Sequence, residues 1–303
     1  MTIQVREISR RFGNLKALDD VSFDIRPGRL TGFVGGNGAG KTTAMRIILG
    51  VLTADSGSVL QDGRELTGSD RKRFGYMPEE RGLYPKMKVR EQLVYLARLH
   101  GLSSVESQQR ADSLLERLEL AHRGNDLVES LSLGNQQRAQ IAAALVHDPA
   151  ALVLDEPFSG LDPLAVDVVL AVLTEAADNG VPVLLSSHQL DVVERLCDDL
   201  VIISQGQIRA AGARDDLRAQ HSPARYRIET DTDLSWLTTT PGLHDISIEA
   251  GAATFECRDR ALVQQVVKSV AERGDLHAFA PERRTLAEIF REVVADSAQQ
   301  EES

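Results

Sequence analysis

The chain has 303 residues, room for about two domains at roughly 150 residues each. With 42% hydrophobic and 26% charged residues it has the make-up of a soluble globular protein, and a formal net charge of -11 argues against a bulk surface that binds nucleic acid or anionic lipid non-specifically. No apolar run approaches the ~18 residues needed to span a bilayer, the first residues lack the apolar core of a leader peptide, and Cys197 and Cys257 lie too far apart for a metal-ligand pattern, as expected of buried thiols in a reducing cytosol.

Residues 1 to 27 predict antiparallel strands: Ile3 and Val5, then Val21, Phe23 and Ile25, alternate with polar positions. Between them Arg10-Arg11-Phe12-Gly13 has a polar, loop-like composition, where an aromatic either stacks on a purine base or is partly buried. Pro27-Gly28 turns the chain into the apolar run Leu30-Thr31-Gly32-Phe33-Val34, expected as a buried strand. Behind it stand Gly35, Gly36, Asn37, Gly38, Ala39, Gly40, Lys41, Thr42 and Thr43. They fit G-x-x-x-x-G-K-[ST], with Gly35, Gly40, Lys41 and Thr42 at the fixed positions. Glycines let successive N–H groups converge on an anion, and the N-terminus of the following helix adds partial positive charge. Lys41 can reach terminal phosphates, and the Thr42 hydroxyl is placed for Mg2+. Gly50 ends that helix.

Ser56 to Gly63 reads as turn, strand and turn, and Phe74 to Glu80 as a strand running into a loop. From Val89 to about Val146 the pattern is helical. Leu93, Leu96, Ala97 and His100 share one face before Gly101, a second helix carries Leu114, Leu115 and Leu118, and a third runs from Gln136 to a stop near Pro149. Ala151 to Leu154 then makes an apolar strand that ends in Asp155 and Glu156. Acids directly after a buried strand sit at the carboxyl edge of a sheet, where open α/β sheets bind ligands. Asp155 suits Mg2+, and Glu156 suits a general base or water-positioning group. The run Val183 to Ser187 repeats the arrangement with His188 at its end, a candidate contact for a terminal phosphate. Gln205-Gly206 marks a hairpin that closes this region.

This order of motifs resembles the ATP-binding cassette (ABC) ATPases over about the first 220 residues. The stretch Leu131-Ser132-Leu133-Gly134-Asn135-Gln136-Gln137-Arg138 is similar to the family signature L-S-G-G-Q followed by Q-Q-R. Ser159-Gly160-Leu161-Asp162 matches the loop after the second acid, His188 the switch histidine and Phe12 the base-stacking aromatic. The resemblance implies an α/β P-loop ABC ATPase domain with a mixed sheet core, an antiparallel β subdomain and a helical subdomain. It implies ATP bound by Phe12 and by the loop from Gly35 to Thr43, Mg2+ held by Thr42, Asp155 and Glu79, and catalysis by Lys41, Glu156 and His188. Ser132, Gly134, Asn135 and Gln136 would reach the ATP of a partner cassette. A single phosphate loop and a single signature imply pairing, most simply as a homodimer and otherwise with a related cassette. A separate membrane permease is expected, with the chain peripheral on the cytoplasmic face of the membrane and no nucleic-acid partner.

Three departures stand out. Leu133 replaces the third-position glycine of the signature, Asn135 replaces its glutamine, and Glu79 stands where the family usually has a glutamine that touches Mg2+. The stretch Gly75 to Pro85 is similar to a subgroup of bacterial exporter cassettes, including ones resembling the sodium-efflux ATP-binding protein. The expected function is therefore the ATPase subunit of a bacterial exporter; the alternative is a soluble ABC-type ATPase or a nucleotide-dependent regulator outside transport.

After Gln220 the composition changes. Arg225 to Thr230 alternates like a strand, Ile246 and Ile248 and then Phe255 and Cys257 suggest two strands around Gly251, and Ala261 to Arg273 is amphipathic. Leu276 to Phe279 suggests a short strand, and Thr285-Leu286-Ala287-Glu288 a capping box that opens a last helix. The expected layout is an ATPase domain over 1–220 with helical subdomain at about 86–148, a small C-terminal α+β domain over 221–298, and a disordered tail over 299–303.

Overall fold

The first two strands, β1 (Ile3–Phe12) and β2 (Leu15–Ile25), form an antiparallel hairpin whose inward positions Ile3, Val5, Ile8, Val21, Phe23 and Ile25 are buried. Arg10, Arg11 and Phe12 are not loop residues, as their polar composition led us to expect. They remain in β1 opposite Leu18, Lys16 and Leu15, because the hairpin ladder runs to its tip and leaves Gly13-Asn14 as the turn. This computed structural model describes residues 1–80, 82–221, 224–249, 251–282 and 288. The chain divides into a first unit that runs to Arg214 and a second that begins at Asp215.

In the first unit β3 (Leu30–Val34), buried at every position, leads into α1 (Lys41–Ile48). Strands β4 (Ser56–Gln61) and β5 (Arg64–Glu65) extend the hairpin into an antiparallel sheet of order β2-β1-β4-β5. The short α2 (Gly68–Arg71) precedes β6 (Phe74–Met77). A helical segment follows: α3 (Val89–Leu99), α4 (Ser104–Arg117), which opens on a Ser103/Glu106 capping box, and α5 (Leu133–Leu145), with single 3-10 turns at Ala121–Arg123 and Val128–Ser130. Then come β7 (Ala151–Leu154), α6 (Pro163–Asp178), β8 (Val183–Ser187), α7 (Leu190–Leu196), β9 (Asp199–Ser204) and β10 (Gln207–Ala213).

The second sheet has the order β10-β9-β3-β8-β7-β6 and is parallel except for β10. Its parallel strands are near-continuous apolar runs, as expected of strands covered on both faces. Parallel pairing brings the carboxyl ends of β3, β7 and β8 to one edge. Two close approaches fix helices on this sheet. A Cβ at Gly32 of β3 would lie 2.4 Å from Val193 of α7, and one at Gly75 of β6 would lie 2.2 Å from the Ala144 carbonyl oxygen of α5. Helix α5 begins at Leu133, earlier than the expected start at Gln136: Ser132 is extended at φ -61 and its hydroxyl accepts the Asn135 N–H at 3.4 Å, a side-chain cap that the apolar periodicity does not reveal.

Beyond α8 (Arg214–His221), which straddles the unit boundary, the second unit holds β11 (Arg225–Thr230), β12 (His244–Glu249), β13 (Ala252–Glu256), α9 (Arg260–Arg273) and β14 (Leu276–Glu282). They make an antiparallel sheet of order β12-β13-β11-β14, with Ile228, Ala253 and Phe255 packed with Val263, Val266 and Val270 of α9. A 3-10 helix at Ser235–Thr239, not anticipated, adds Leu237 to that core. Both cysteines are buried and free. The capping box at Thr285, apart from Glu288, and the tail at 299–303 lie outside the described residues.

Candidate active site

The turn between β3 and α1 is built where only glycine fits. Gly40 has φ 108, and a Cβ there would sit 2.6 Å from the Ala17 carbonyl oxygen; at Gly35 a Cβ would sit 2.5 Å from that of Ile203. At Gly36 and Gly38 a Cβ would meet nothing, so their bare backbone leaves the loop open to a ligand. Lys41 is buried, and its Nζ donates to the carbonyl oxygens of Gly35 at 2.6 Å and Gly36 at 3.1 Å. Asn37, Gly38, Ala39, Gly40, Lys41, Thr42 and Thr43 line a cleft of about 570 Å³ together with Phe12, Glu79, Asp155 and Glu156. Phe12 is 46% exposed, and the Arg10 guanidinium carbon lies 5.0 Å from its ring centroid. Asp55 holds that arrangement, accepting from Arg10 at 2.6 Å and from the Arg11 N–H at 2.8 Å.

The two acids after β7 are treated differently by their surroundings. Asp155 accepts the Thr42 hydroxyl at 3.0 Å and the Ser186 hydroxyl on its other oxygen. Glu156 has φ 53, a left-handed conformation uncommon for a residue with a side chain. Its N–H donates to Ser186 Oγ at 2.9 Å, its carbonyl accepts from Gln137 Nε2 at 2.8 Å, and its Oε1 lies 2.8 Å from His188 Nδ1. Burial pushes the Glu156 carboxyl above its usual range, and the His188 contact opposes the rise. Thr42, Asp155 and Glu79 offer oxygen donors of the kind Mg2+ takes, and a phosphate and waters would complete its shell. Among the described residues no group of three His, Cys, Asp or Glu closes around a metal.

The signature residues do not line this cleft. Ser132 caps α5, and at Gly134 a Cβ would stand 3.4 Å from the Gly160 carbonyl oxygen. Asn135 Oδ1 accepts from Arg138, and Gln136 Nε2 donates to the carbonyls of Val128 and Leu131, so the Gln136 side chain ties down the loop ahead of its own helix. Leu133 is helical and 57% exposed, so its replacement of glycine strains nothing. Leu15, Lys16 and Ala17, which the sequence does not mark, also line the cleft, as does Gln205, which the sequence marks only as part of a hairpin turn. They lie at two hairpin tips joined by the Asp19 N–H to Gly206 at 2.8 Å and by Gln207 to Asp19 at 2.9 Å, a long-range contact with no local signature. Ser186, inside the buried run of β8, carries no signal of its own in the sequence, where the polar residue marked at the end of that strand is His188.

The ABC transporter family matches residues 18–159, and the C-terminal domain of DrrA1-3-like ATP-binding proteins matches residues 212–294. The uncharacterized ABC transporter ATP-binding protein YhaQ of Bacillus subtilis is 37% identical over 292 residues, covering 96% of this chain and 98% of YhaQ. The chain belongs to the ABC transporter ATP-binding proteins. This cassette is 34% identical to the linearmycin resistance ATP-binding protein LnrL of Bacillus subtilis over 71% of its length and 70% of LnrL, and 32% identical to the Nod factor export ATP-binding protein I of Ralstonia nicotianae over 91% and 87%. A solved ATP-binding subunit of an ABC transporter superposes with a TM-score of 0.67 at 34% identity, covering 73% of the cassette and 93% of that chain. The cassette is thus an ATP-binding ATPase subunit of an ABC transporter, and a role outside transport is not favoured by these relatives. Among its described residues no helix is long and apolar enough to cross a membrane.

Proposed function

We propose that the cassette powers a bacterial exporter, working as a pair of cassettes bound to a separate permease on the cytoplasmic face of the membrane. The observation that carries the reading is the constellation at one sheet edge: phosphate loop, Thr42–Asp155 and Glu156–His188. Export rests on relatives such as the Nod factor export protein, and the helical segment with the Glu79 loop is the surface offered to the permease. The cargo belongs to the permease.

In this reading Phe12 stacks on adenine, and the N–H groups from Asn37 to Thr43 receive the phosphates. Lys41 exchanges the Gly35 and Gly36 carbonyls for the terminal phosphates. Thr42, Asp155 and Glu79 would hold Mg2+, which would supply positive charge to offset that developing on the phosphates. Glu156 orients water and accepts its proton, and His188 keeps the carboxylate in place. Ser132 and Gly134, outside the cleft of their own chain, close over the γ-phosphate of the second cassette with the N-terminus of α5. Loss of the γ-phosphate then releases the pair.

The test is Glu156→Gln. Turnover should nearly vanish while ATP still drives pairing of the variant, and an ATP-dependent pulldown from solubilised membranes should recover a multi-span permease. Unchanged turnover would remove Glu156 as the base; recovery of no membrane protein would overturn the exporter reading.

A further inference from the structure

Helix α5 presents Gln137, Gln140 and Ala144 on one face, at helical spacing. All three meet backbone in the sheet-edge loops or at β6: Gln137 Nε2 donates to the Glu156 carbonyl at 2.8 Å, Gln140 Nε2 donates to the Glu80 carbonyl at 3.3 Å, and the Ala144 carbonyl abuts Gly75. Both glutamines are buried. We propose that Gln137 is a positioning residue for Glu156, tying the backbone of the hydrolytic base to the helix whose first turn carries the signature. The inference rests on the roles given above to Glu156 and to residues 132–136, and goes beyond them in naming what joins the two.

Glu156 is held where side-chain-bearing residues rarely sit, and such a conformation persists only when the surroundings over-determine it. Its anchors are Ser186 on the N–H, His188 on the carboxylate, and the Ser159 N–H at 3.1 Å with Gln137 on the carbonyl. Of these, Gln137 alone comes from the helical segment. Ser132 caps α5, Gly134 and Gln137 fall within its first turn and a half, and Gly134 packs near the Gly160 carbonyl in the loop that follows the base. A shift or roll of α5 that follows from contact at its N-terminus is therefore delivered to the peptide of Glu156. Engagement of one site by a partner is thereby coupled to the geometry of the base in the other.

The test compares Gln137→Met, which keeps side-chain length without a donor, and Gln137→Glu, which keeps shape but replaces the donor by an acceptor. ATP affinity is read with a fluorescent ATP analogue and turnover as steady-state kcat, on the full chain, well below the Tm of each variant. We expect kcat to fall by about tenfold to a hundredfold, as for a misplaced catalytic group, with ATP affinity unchanged. The proposal is overturned if either folded variant keeps wild-type kcat, or if kcat and affinity fall together in step with Tm, which is what a packing role gives. Should Gln137→Met fail to fold, Gln137→Glu decides by the same criteria. Glu156→Gln is assayed alongside: full turnover there sinks the base itself, whereas a dead Glu156→Gln beside a fully active Gln137→Met sinks only the positioning role.

Discussion

His188 Nδ1 lies 2.8 Å from Glu156 Oε1, joining a half-exposed imidazole to a carboxylate that is almost wholly buried. Burial raises the Glu156 pKa, and the His188 hydrogen bond and charge are the leading influences that lower it again. A base works deprotonated, so a raised pKa makes turnover fall, on acidification, at a higher pH than an ordinary glutamate near 4.3 would give. Removing the histidine removes the lowering influence. The acid limb of kcat in His188→Ala should therefore move to still higher pH, in addition to any loss of the plateau rate. A pH profile of kcat measures this, and an acid limb in His188→Ala at or below the wild-type position would exclude the coupling.

Much of this site is legible in the sequence because each part ends an apolar strand: the phosphate loop after Val34, the acids after Leu154, His188 after Ser187. Local chemistry and local order suffice there. The illegible parts depend on partners remote in sequence. Gln137 reaches Glu156, and the hairpin tip at Leu15–Ala17 reaches the cleft through β9 and β10. The α5 start was misplaced because Ser132 caps through a side-chain bond, whereas periodicity follows buried faces. Arg10–Phe12 looked like loop because its charged composition carries no information about the ladder partner that keeps it in β1.

Phe12 and Arg10 give a second prediction. The Arg10 guanidinium, itself fixed by Asp55, stacks on the Phe12 ring, which lines the cleft. Phe12→Ala should weaken ATP binding by about 1–3 kcal/mol, the range for losing an aromatic platform under a base. Arg10→Met should cost less, about 0.5–1 kcal/mol, as for an exposed cation–π pair. Inorganic triphosphate, which has no base, should bind both variants as it binds the wild type. Titration calorimetry with the two ligands separates the terms, and equal losses for ATP and triphosphate would exclude a base-directed role.

Gly40 tests the loop itself. At φ 108, with a Cβ 2.6 Å from the Ala17 carbonyl and 2.8 Å from Leu18 Cδ2, Gly40→Ala combines backbone strain with a clash. The expected destabilisation is about 2–4 kcal/mol, summing a left-handed penalty and overpacking, and nucleotide binding should be lost with the loop geometry. Gly38→Ala is the comparison: its added methyl meets nothing, so only the positive φ of 76 opposes it and the loss of stability should be smaller. Thermal unfolding and ATP titration of the two variants check the order, and a Gly38→Ala that is the more damaging would contradict the steric account.

The last prediction concerns pH and the helical segment. His100, at the end of α3, and His147, just past α5, stack with ring centroids 3.7 Å apart and planes 17° apart, and His147 Nε2 faces the Phe74 carbonyl oxygen at 3.3 Å. Burial brings the His147 pKa down to about 4, the charge of His100 acts in the same direction, and the Phe74 carbonyl and Asp148 oppose it. The fold therefore prefers the neutral ring, while an unfolded chain takes up a proton below about 6.5. The unfolded state binds more protons between those two values, so stability is fully present above about pH 6.5 and is lost as pH falls toward 4. His147→Gln keeps an amide donor for the Phe74 carbonyl and cannot titrate. Its unfolding midpoint should drop less than that of the wild type between about pH 6.5 and pH 5, a window that lies within the two pKa values. Equal drops in the two proteins would assign the acid sensitivity to other groups.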